Sequence, residues 1–317
     1  MKKNSIAIII PVFNVENYVT ETLESVKNQL SNPDEVIIIN DGSTDNSGQV
    51  IDKYRNIEGW KIIHKINEGL GFTRNYGRSI ANSEYIYFLD SDDIIKNKLI
   101  LTLREIIDKN NKPDMILFSG ETFTEERSLN SKINLKFTLK GEYTGKNNLI
   151  TKLSKKKEAL PQAGRYITKN SLWSNNNISY PSTIYEDEAV FLPLLACSKN
   201  TVVHPEIYFK YRVGRKDSLT NTNPNIDHAN SYLKVINILY QFMINHQEII
   251  NEDILVWRYR LSRNLLNYIS MCLKVKSLIE WRIVILLVIK IKIFNLPFKI
   301  LWRFLRHFVL NFYSKNK

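Results

Sequence analysis

The sequence predicts an α/β protein with a mostly parallel sheet, flanking helices and a helical C-terminal region. Three observations carry this expectation. Short β-branched runs alternate with amphipathic helical patterns through the first 120 residues. Turn residues punctuate the boundaries, as in Asn32-Pro33-Asp34 and Asp41-Gly42-Ser43. A strand–helix–strand rhythm of this length is the pattern of a parallel sheet covered on both faces.

The apolar run Ile6–Ile10 lies behind Lys2 and Lys3 and stops at Pro11. It is too short for the core of a secretion signal and reads as the first strand. Further strands are predicted at Glu35–Ile39, Lys61–Lys65, Tyr85–Leu89 and Met115–Phe118. Between them Glu16–Gln29, Thr44–Tyr54, Gly69–Ala81 and Asn97–Asn110 carry apolar residues at helical spacing. From about residue 121 to 160 the alternation fails, and Lys- and Asn-rich pieces predict an excursion built as a hairpin. Glu186–Cys197 reads as a helix, followed by strands near Thr201–Val203 and Ile207–Tyr211. Asn221–Asn225 has the composition of a linker, and beyond it the chain reads as helical. The predicted division is therefore 1–220 and 221–317.

The chain has 317 residues, which allows about two domains at roughly 100–200 residues each. At 44% hydrophobic and 24% charged it is not a disordered tail. Cys197 and Cys272 are the two cysteines; a disulfide framework is not expected, and a reducing compartment fits. The net charge is +12, from 44 Lys+Arg against 32 Asp+Glu. Glu280 is the last acidic residue, and eight basic residues follow it, so residues 1–280 carry 36 Lys+Arg against 32 Asp+Glu, or +4. A body so nearly balanced argues against a nucleic-acid binder, and no nucleic-acid partner is expected.

In a parallel sheet, ligands bind beyond the carboxyl ends of the strands. Phe88-Leu89-Asp90-Ser91-Asp92-Asp93 ends a strand in three carboxylates within four positions. On extended chain Asp90 and Asp92 share a side, and two such hard oxygen donors suit Mg²⁺ or Mn²⁺. The alternative is that Asp92 or Asp93 caps the next helix. Asp41 opens Asp41-Gly42-Ser43-Thr44-Asp45 after the second strand, where an acid accepts hydrogen bonds from a base or ribose and Thr44 or Asp45 caps a helix. Asn67-Glu68-Gly69-Leu70-Gly71-Phe72-Thr73-Arg74-Asn75 joins glycines to a cation that suits diphosphate, a weak phosphate signature by itself. Glu186-Asp187-Glu188 opens a helix; the acids either complement the helix dipole or include a catalytic base.

Together with Pro11-Val12-Phe13-Asn14, these segments resemble in order and spacing the inverting family 2 glycosyltransferases of the GT-A fold, of the bacterial surface-polysaccharide type. The resemblance covers residues 5–220, with Tyr211-Arg212 and Ser218 similar to the family's closing loop. It implies a nucleotide-sugar-binding catalytic domain whose donor is a UDP-sugar. It further implies that Pro11, Asp41, Asn67 and Arg74 hold the nucleotide and that Asp90 faces the ribose or the metal. Asp92 would ligate Mg²⁺ or Mn²⁺ on the diphosphate, Arg212 would close over it, and Ser218 would assist. Asp187 would be the base that deprotonates an acceptor hydroxyl, with Glu186 and Glu188 as alternatives. The chain departs from the family pattern at Pro161-Gln162-Ala163-Gly164-Arg165-Tyr166, and Trp173 reads either as a sugar platform or as core.

Ile283–Ile289 is an apolar run of seven, whereas spanning a bilayer takes ~20 residues. Lys299, Arg303 and Arg306 fall on one helical stripe among Leu301, Trp302, Phe304, Leu305 and Phe308. That composition over 281–313 predicts a helix lying in an anionic membrane surface; the alternative is packing onto the catalytic domain. The resulting expectation is a cytoplasmic enzyme, peripheral on the inner face of the cell membrane, with a lipid-linked saccharide acceptor. A nucleotidyltransferase of related fold would place a glycine-rich basic loop where Pro11-Val12-Phe13-Asn14 stands. A catalytically inactive membrane-associated scaffold would have no need of Asp92 and Asp187, both of which are present.

Overall fold

In the computed structural model the described residues are 2–124, 133–145, 148–215 and 223–292. Contacts divide the chain into two units, one of Met1–Ser182 with Glu186–Thr222, the other of Thr183–Tyr185 with the chain from Asn223 onward.

The first unit begins β1 (Lys2–Val12), α1 (Val19–Lys27), β2 (Glu35–Asp41), α2 (Ser47–Asp52), β3 (Trp60–Lys65), α3 (Leu70–Ile80) and β4 (Ser83–Phe88). It continues through β5 (Ile94–Ile95), α4 (Leu99–Lys109), β6 (Met115–Phe123), β7 (Gly141–Thr144) and α5 (Leu149–Lys155). It closes with β8 (Tyr166–Lys169), α6 (Asn170–Asn175), α7 (Glu186–Cys197) and β9 (Asn200–Arg212). The strands form one sheet in the order β3-β2-β1-β4-β8-β6-β9-β5, with β7 also on β9. β1 to β4 pair in parallel, as do β6 and β9, while β5, β7 and β8 run the other way. Among the described residues six of the nine strands thus share one direction, and the sheet is mostly parallel as predicted.

Burial explains why the first strand reads as a continuous apolar run. Ile6, Ile8 and Ile10 lie in one core with Leu23 and Val26 of α1, while Ala7 and Ile9 are also fully buried. A strand covered on both faces has no polar side to alternate with. α1 buries Val19, Thr22, Leu23 and Val26, the one-face spacing that predicted it.

Among its described residues the region 121–160 returns to the sheet rather than leaving it as a separate hairpin. Its strand β7 pairs instead with β9, Tyr143 opposite Thr201, and α5 follows. A four-residue strand carries no record in its own sequence of which edge it joins. The two strands predicted around His204 are one strand, β9, whose register against β6 shifts between Phe118 and Gly120, opposite His204–Phe209 with Pro205 inside. β8 is equally short, and it escaped prediction for the same reason.

In the second unit, α8 (Ile226–Asn245) starts at a capping box in which the Asn225 side chain accepts from the Asp227 and His228 amides. It is followed by α9 (Gln247–Ile250), α10 (Ile254–Lys274) and α11 (Trp281–Ile291). Val235, Ile236 and Leu239 of α8 are buried, as are Trp257, Leu261 and Leu265 of α10. Ile285, Leu286 and Ile289 of α11 are exposed. Among the described residues no helix is long and apolar enough to cross a membrane. Residues 293–313 of the predicted interfacial segment, with Lys299, Arg303 and Arg306, lie outside the described residues, as does Ser218.

Ile38 is fully buried in the core of β2, whereas Leu30 is 59% exposed. Ile38→Ala is expected to lower unfolding free energy by about 2–5 kcal/mol in urea titration, and Leu30→Ala by less than about 0.5 kcal/mol.

Candidate active site

The loops after the first three parallel strands are knitted by their own polar side chains. Asn14 accepts from the Thr44 amide at 2.8 Å, and Ser43 Oγ accepts from the Asn14 amide at 3.1 Å. Asp45 accepts from the amides of Glu16 at 3.1 Å and Ser47 at 2.9 Å, while the N-cap of α2 is Asn46, with no side-chain cap bond, rather than the Thr44 or Asp45 the sequence predicts. Asp41 is buried, and its two oxygens accept from the amides of Glu68 at 3.0 Å and Gly69 at 2.9 Å. Lys65 pairs with Asp41 and, at 2.9 Å, with Glu68. Burial pushes the Asp41 carboxyl up, but these bonds outweigh it and hold it below the ordinary carboxylate range. Gly42 has φ +70°, and a Cβ there would stand 2.7 Å from the Asn67 nitrogen, so this close approach of two loops requires glycine. Pro11 is buried within β1 opposite Ile39, and Asn67 is exposed.

Gly71 has a packing role that its sequence context did not reveal. A Cβ there would lie 2.4 Å from the Pro181 carbonyl oxygen. Beside it, Asn75 exchanges two hydrogen bonds with the backbone of Tyr180, at 2.8 and 3.0 Å. The Tyr180 ring then lies 5.0 Å from the Arg74 guanidinium, within cation–π range. The start of α3 is thus fitted against the 180–181 chain, and Arg74 is aimed inward.

Arg74 brings the separated acidic segments together. Its side chain is 1% exposed, and Nη2 donates to Asp90 Oδ1 at 2.6 Å while Nη1 donates to Glu186 at 2.7 Å and Asp187 at 3.0 Å. A guanidinium this deep costs several kcal/mol of desolvation unless carboxylates surround it, and here three do. Three acids around one cation leave negative charge in excess. Burial accordingly pushes the Glu186 and Asp187 carboxyls up, with Arg74 opposing the shift. Glu186 has a 7% exposed side chain against 21% for Asp187, so Asp187 is the more accessible of the two.

The acidic loop is held from the far side by the end of β9. Asp93 is buried and accepts from the Arg212 amide at 2.9 Å. Burial, then Asp92 and Asp90, drive its carboxyl well above the ordinary range. Arg212 donates from Nε to the Asp92 carbonyl at 2.8 Å and pairs with Glu21, its guanidinium over the rings of Tyr18 and Phe123. Arg215, which the sequence reading missed, pairs with Asp92 Oδ2 at 3.1 Å. Its spacing three residues after Arg212 was the available signal; Tyr180 and Lys65 carried none, because only the fold brings them in.

Asp90 and Asp92 fit a hard divalent cation by chemistry. Both are carboxylates, Asp90 is 30% exposed, and burial followed by the charge of Asp90 outweighs Arg215 in raising Asp92. Among the described residues no group of three His, Cys, Asp or Glu could hold an ion alone. Substrate oxygens would therefore complete the shell. Trp173 resolves as core: it is fully buried, and Nε1 donates to Thr168 at 2.7 Å. Cys197 and Cys272 are buried free thiols.

Comparison with known proteins gives the family and the fold. The model of glycosyl transferase family 2 matches residues 7–165. The poly(ribitol-phosphate) beta-N-acetylglucosaminyltransferase TarP of Staphylococcus aureus strain N315 is 28% identical over 247 residues, 76% of this chain and 72% of TarP. The putative glycosyltransferase EpsH of Bacillus subtilis strain 168 is 40% identical over 97 residues, 30% of this chain and 28% of EpsH. Several curated relatives, EpsH among them, are matched over only 14–36% of their own length. The crystal structure of S. aureus TarS 1–349 in complex with UDP-GlcNAc superposes with a TM-score of 0.62 at 20% identity, covering 84% of this chain and 81% of that one. That likeness shows the shared GT-A fold. The family model spans half of the chain, from within β1 to the start of β8 and including the loops after β1 to β4, and this chain belongs to glycosyl transferase family 2.

Proposed function

We propose that this chain is an inverting, metal-dependent glycosyltransferase that moves a sugar from a UDP-sugar to a saccharide hydroxyl in surface-polysaccharide synthesis. The observation that carries the reading is the joint hold of Arg74 on Asp187 and on Asp90 of the acidic loop. A candidate base and a candidate donor loop are thereby fixed to one guanidinium. The names of TarP and of the UDP-GlcNAc complex of TarS support UDP-GlcNAc as the first donor to assay.

Asp187 takes the proton of the acceptor hydroxyl as that oxygen attacks the anomeric carbon, and the bond to the donor diphosphate breaks with its electron pair leaving on the nucleotide. Entry opposite the departing group inverts the anomeric configuration. Asp90 and Asp92 are the residues that would hold Mg²⁺ or Mn²⁺, which supplies Lewis-acid stabilisation of the leaving diphosphate when bound. Arg74 serves as the brace of the acids, a different task from the nucleotide contact implied by the family resemblance. Asp41 braces the Asn67–Gly69 loop toward the nucleotide, and Pro11 is the penultimate residue of β1, which ends at Val12. Arg212 and Arg215 bring two guanidiniums to the acidic loop, charge that suits a diphosphate.

The acid-free tail supports a peripheral position on an anionic inner leaflet and, with it, a lipid-linked acceptor. Each basic residue near such a surface contributes roughly 1 kcal/mol.

Asp187→Asn is expected to lower kcat by at least about 10²-fold while UDP binding by calorimetry is retained. Wild-type transfer by this variant would remove Asp187 as the base. Vesicles containing phosphatidylserine should sediment the full chain. The triple variant Lys299→Glu, Arg303→Glu, Arg306→Glu should bind them on the order of 100-fold more weakly. Equal sedimentation of both proteins would refute the membrane contact.

A further inference from the structure

We propose that the turn Gln162–Arg165 is the positioning element of Asp187, fixing through the Ala163 amide the carboxylate oxygen that Arg74 leaves open. The proposal rests on the reading of Asp187 as the base. Arg74 donates to Asp187 Oδ1 at 3.0 Å, and the Ala163 amide donates to Asp187 Oδ2 at 3.3 Å. A carboxylate held at one oxygen can still swing about its terminal torsion, whereas one held at both oxygens presents its lone pairs in one direction.

The turn is built to keep that amide in place. Ala163, Gly164 and Arg165 form one buried 3₁₀ turn. A Cβ on Gly164 would stand 2.2, 2.4 and 2.8 Å from ring carbons of Phe209, itself fully buried in β9, so no side chain fits there. Tyr87 of β4, also fully buried, donates its hydroxyl to the Gly164 carbonyl at 3.0 Å. Arg165 is 1% exposed, donates to the Leu160 carbonyl at 3.3 Å, and places its guanidinium 4.1 Å from the centre of the Phe137 ring. Buried groups from β4, β9 and the 137 segment therefore converge on a turn whose amide meets Asp187.

The test compares Tyr87→Phe, Gly164→Ala, the double variant Gly164→Ala with Phe209→Leu, and Asp187→Asn. Transfer from UDP-GlcNAc, or whichever UDP-sugar a donor panel identifies, gives kcat and the donor KM; thermal melting reports folding. Tyr87→Phe is expected to lower kcat about 10-fold with donor KM within about twofold, because the turn loosens while the donor loops are untouched. Gly164→Ala should lower kcat by about 100-fold. Phe209→Leu, which removes the two nearest ring carbons, should recover about tenfold of that loss. Folded Tyr87→Phe and Gly164→Ala proteins with wild-type kcat, beside an inactive Asp187→Asn, would overturn the positioning role and leave the base in place. An active Asp187→Asn would instead overturn the assignment on which the proposal rests. Tyr87→Phe removes one hydroxyl and decides the matter should Gly164→Ala not fold.

Discussion

A single buried guanidinium sets the arrangement of the acidic residues. Arg74 lies on α3, Asp90 follows β4, and Glu186 and Asp187 begin α7, more than a hundred positions from Arg74 along the chain. Without the cation, three carboxylates would face one another at low dielectric. Removing one partner of a buried ion pair typically costs 3–5 kcal/mol, because the remaining charge is left uncompensated. Without the carboxylates, the guanidinium would carry the desolvation cost alone. Each side makes the other tenable, and the helix start of α7 is thereby tied to the acidic loop.

Around this centre, polar groups spend most of their hydrogen bonds on shaping loops. Asp41 holds the amides of Glu68 and Gly69, Asp45 holds those of Glu16 and Ser47, and Asp93 holds that of Arg212. A carboxylate that accepts backbone amides fixes a loop without a repeating ladder. What remains accessible is then informative: Asp90 and Asp187 keep 30% and 21% of their side chains exposed, while Arg74 keeps 1%. These half-buried acids face the buried cation that organises them.

Much of the fold was legible because periodicity is local. The helix Val19–Lys27 announces itself by one-face spacing and the strand Ile6–Ile10 by an unbroken apolar run, and Asp41 and Asp90–Asp93 stand out because each lies at the end of a strand. The partner of a short strand is not local, which is why the pairing of β7 with β9 and the strand β8 leave no signal in the sequence. Arg74 illustrates the limit most clearly. The resemblance implies a nucleotide contact for it, a partner outside the chain; within the chain Gly71 beside it serves the approach of Pro181, and the guanidinium donates to Asp90, Glu186 and Asp187. Residue type and spacing identified a charged site; only tertiary packing decides which charges meet. The Ala163 amide is the extreme case, since a backbone donor leaves no trace in residue identity.

The most direct measurement is the kinetic and binding behaviour of Arg74→Lys. A lysine keeps the charge but lacks the planar fork needed to hold carboxylates on two sides. If Arg74 braces the acids, kcat for sugar transfer falls by at least about 10²-fold while UDP affinity changes by less than about threefold. A parallel loss of UDP affinity and kcat would place the guanidinium on the diphosphate and contradict the account.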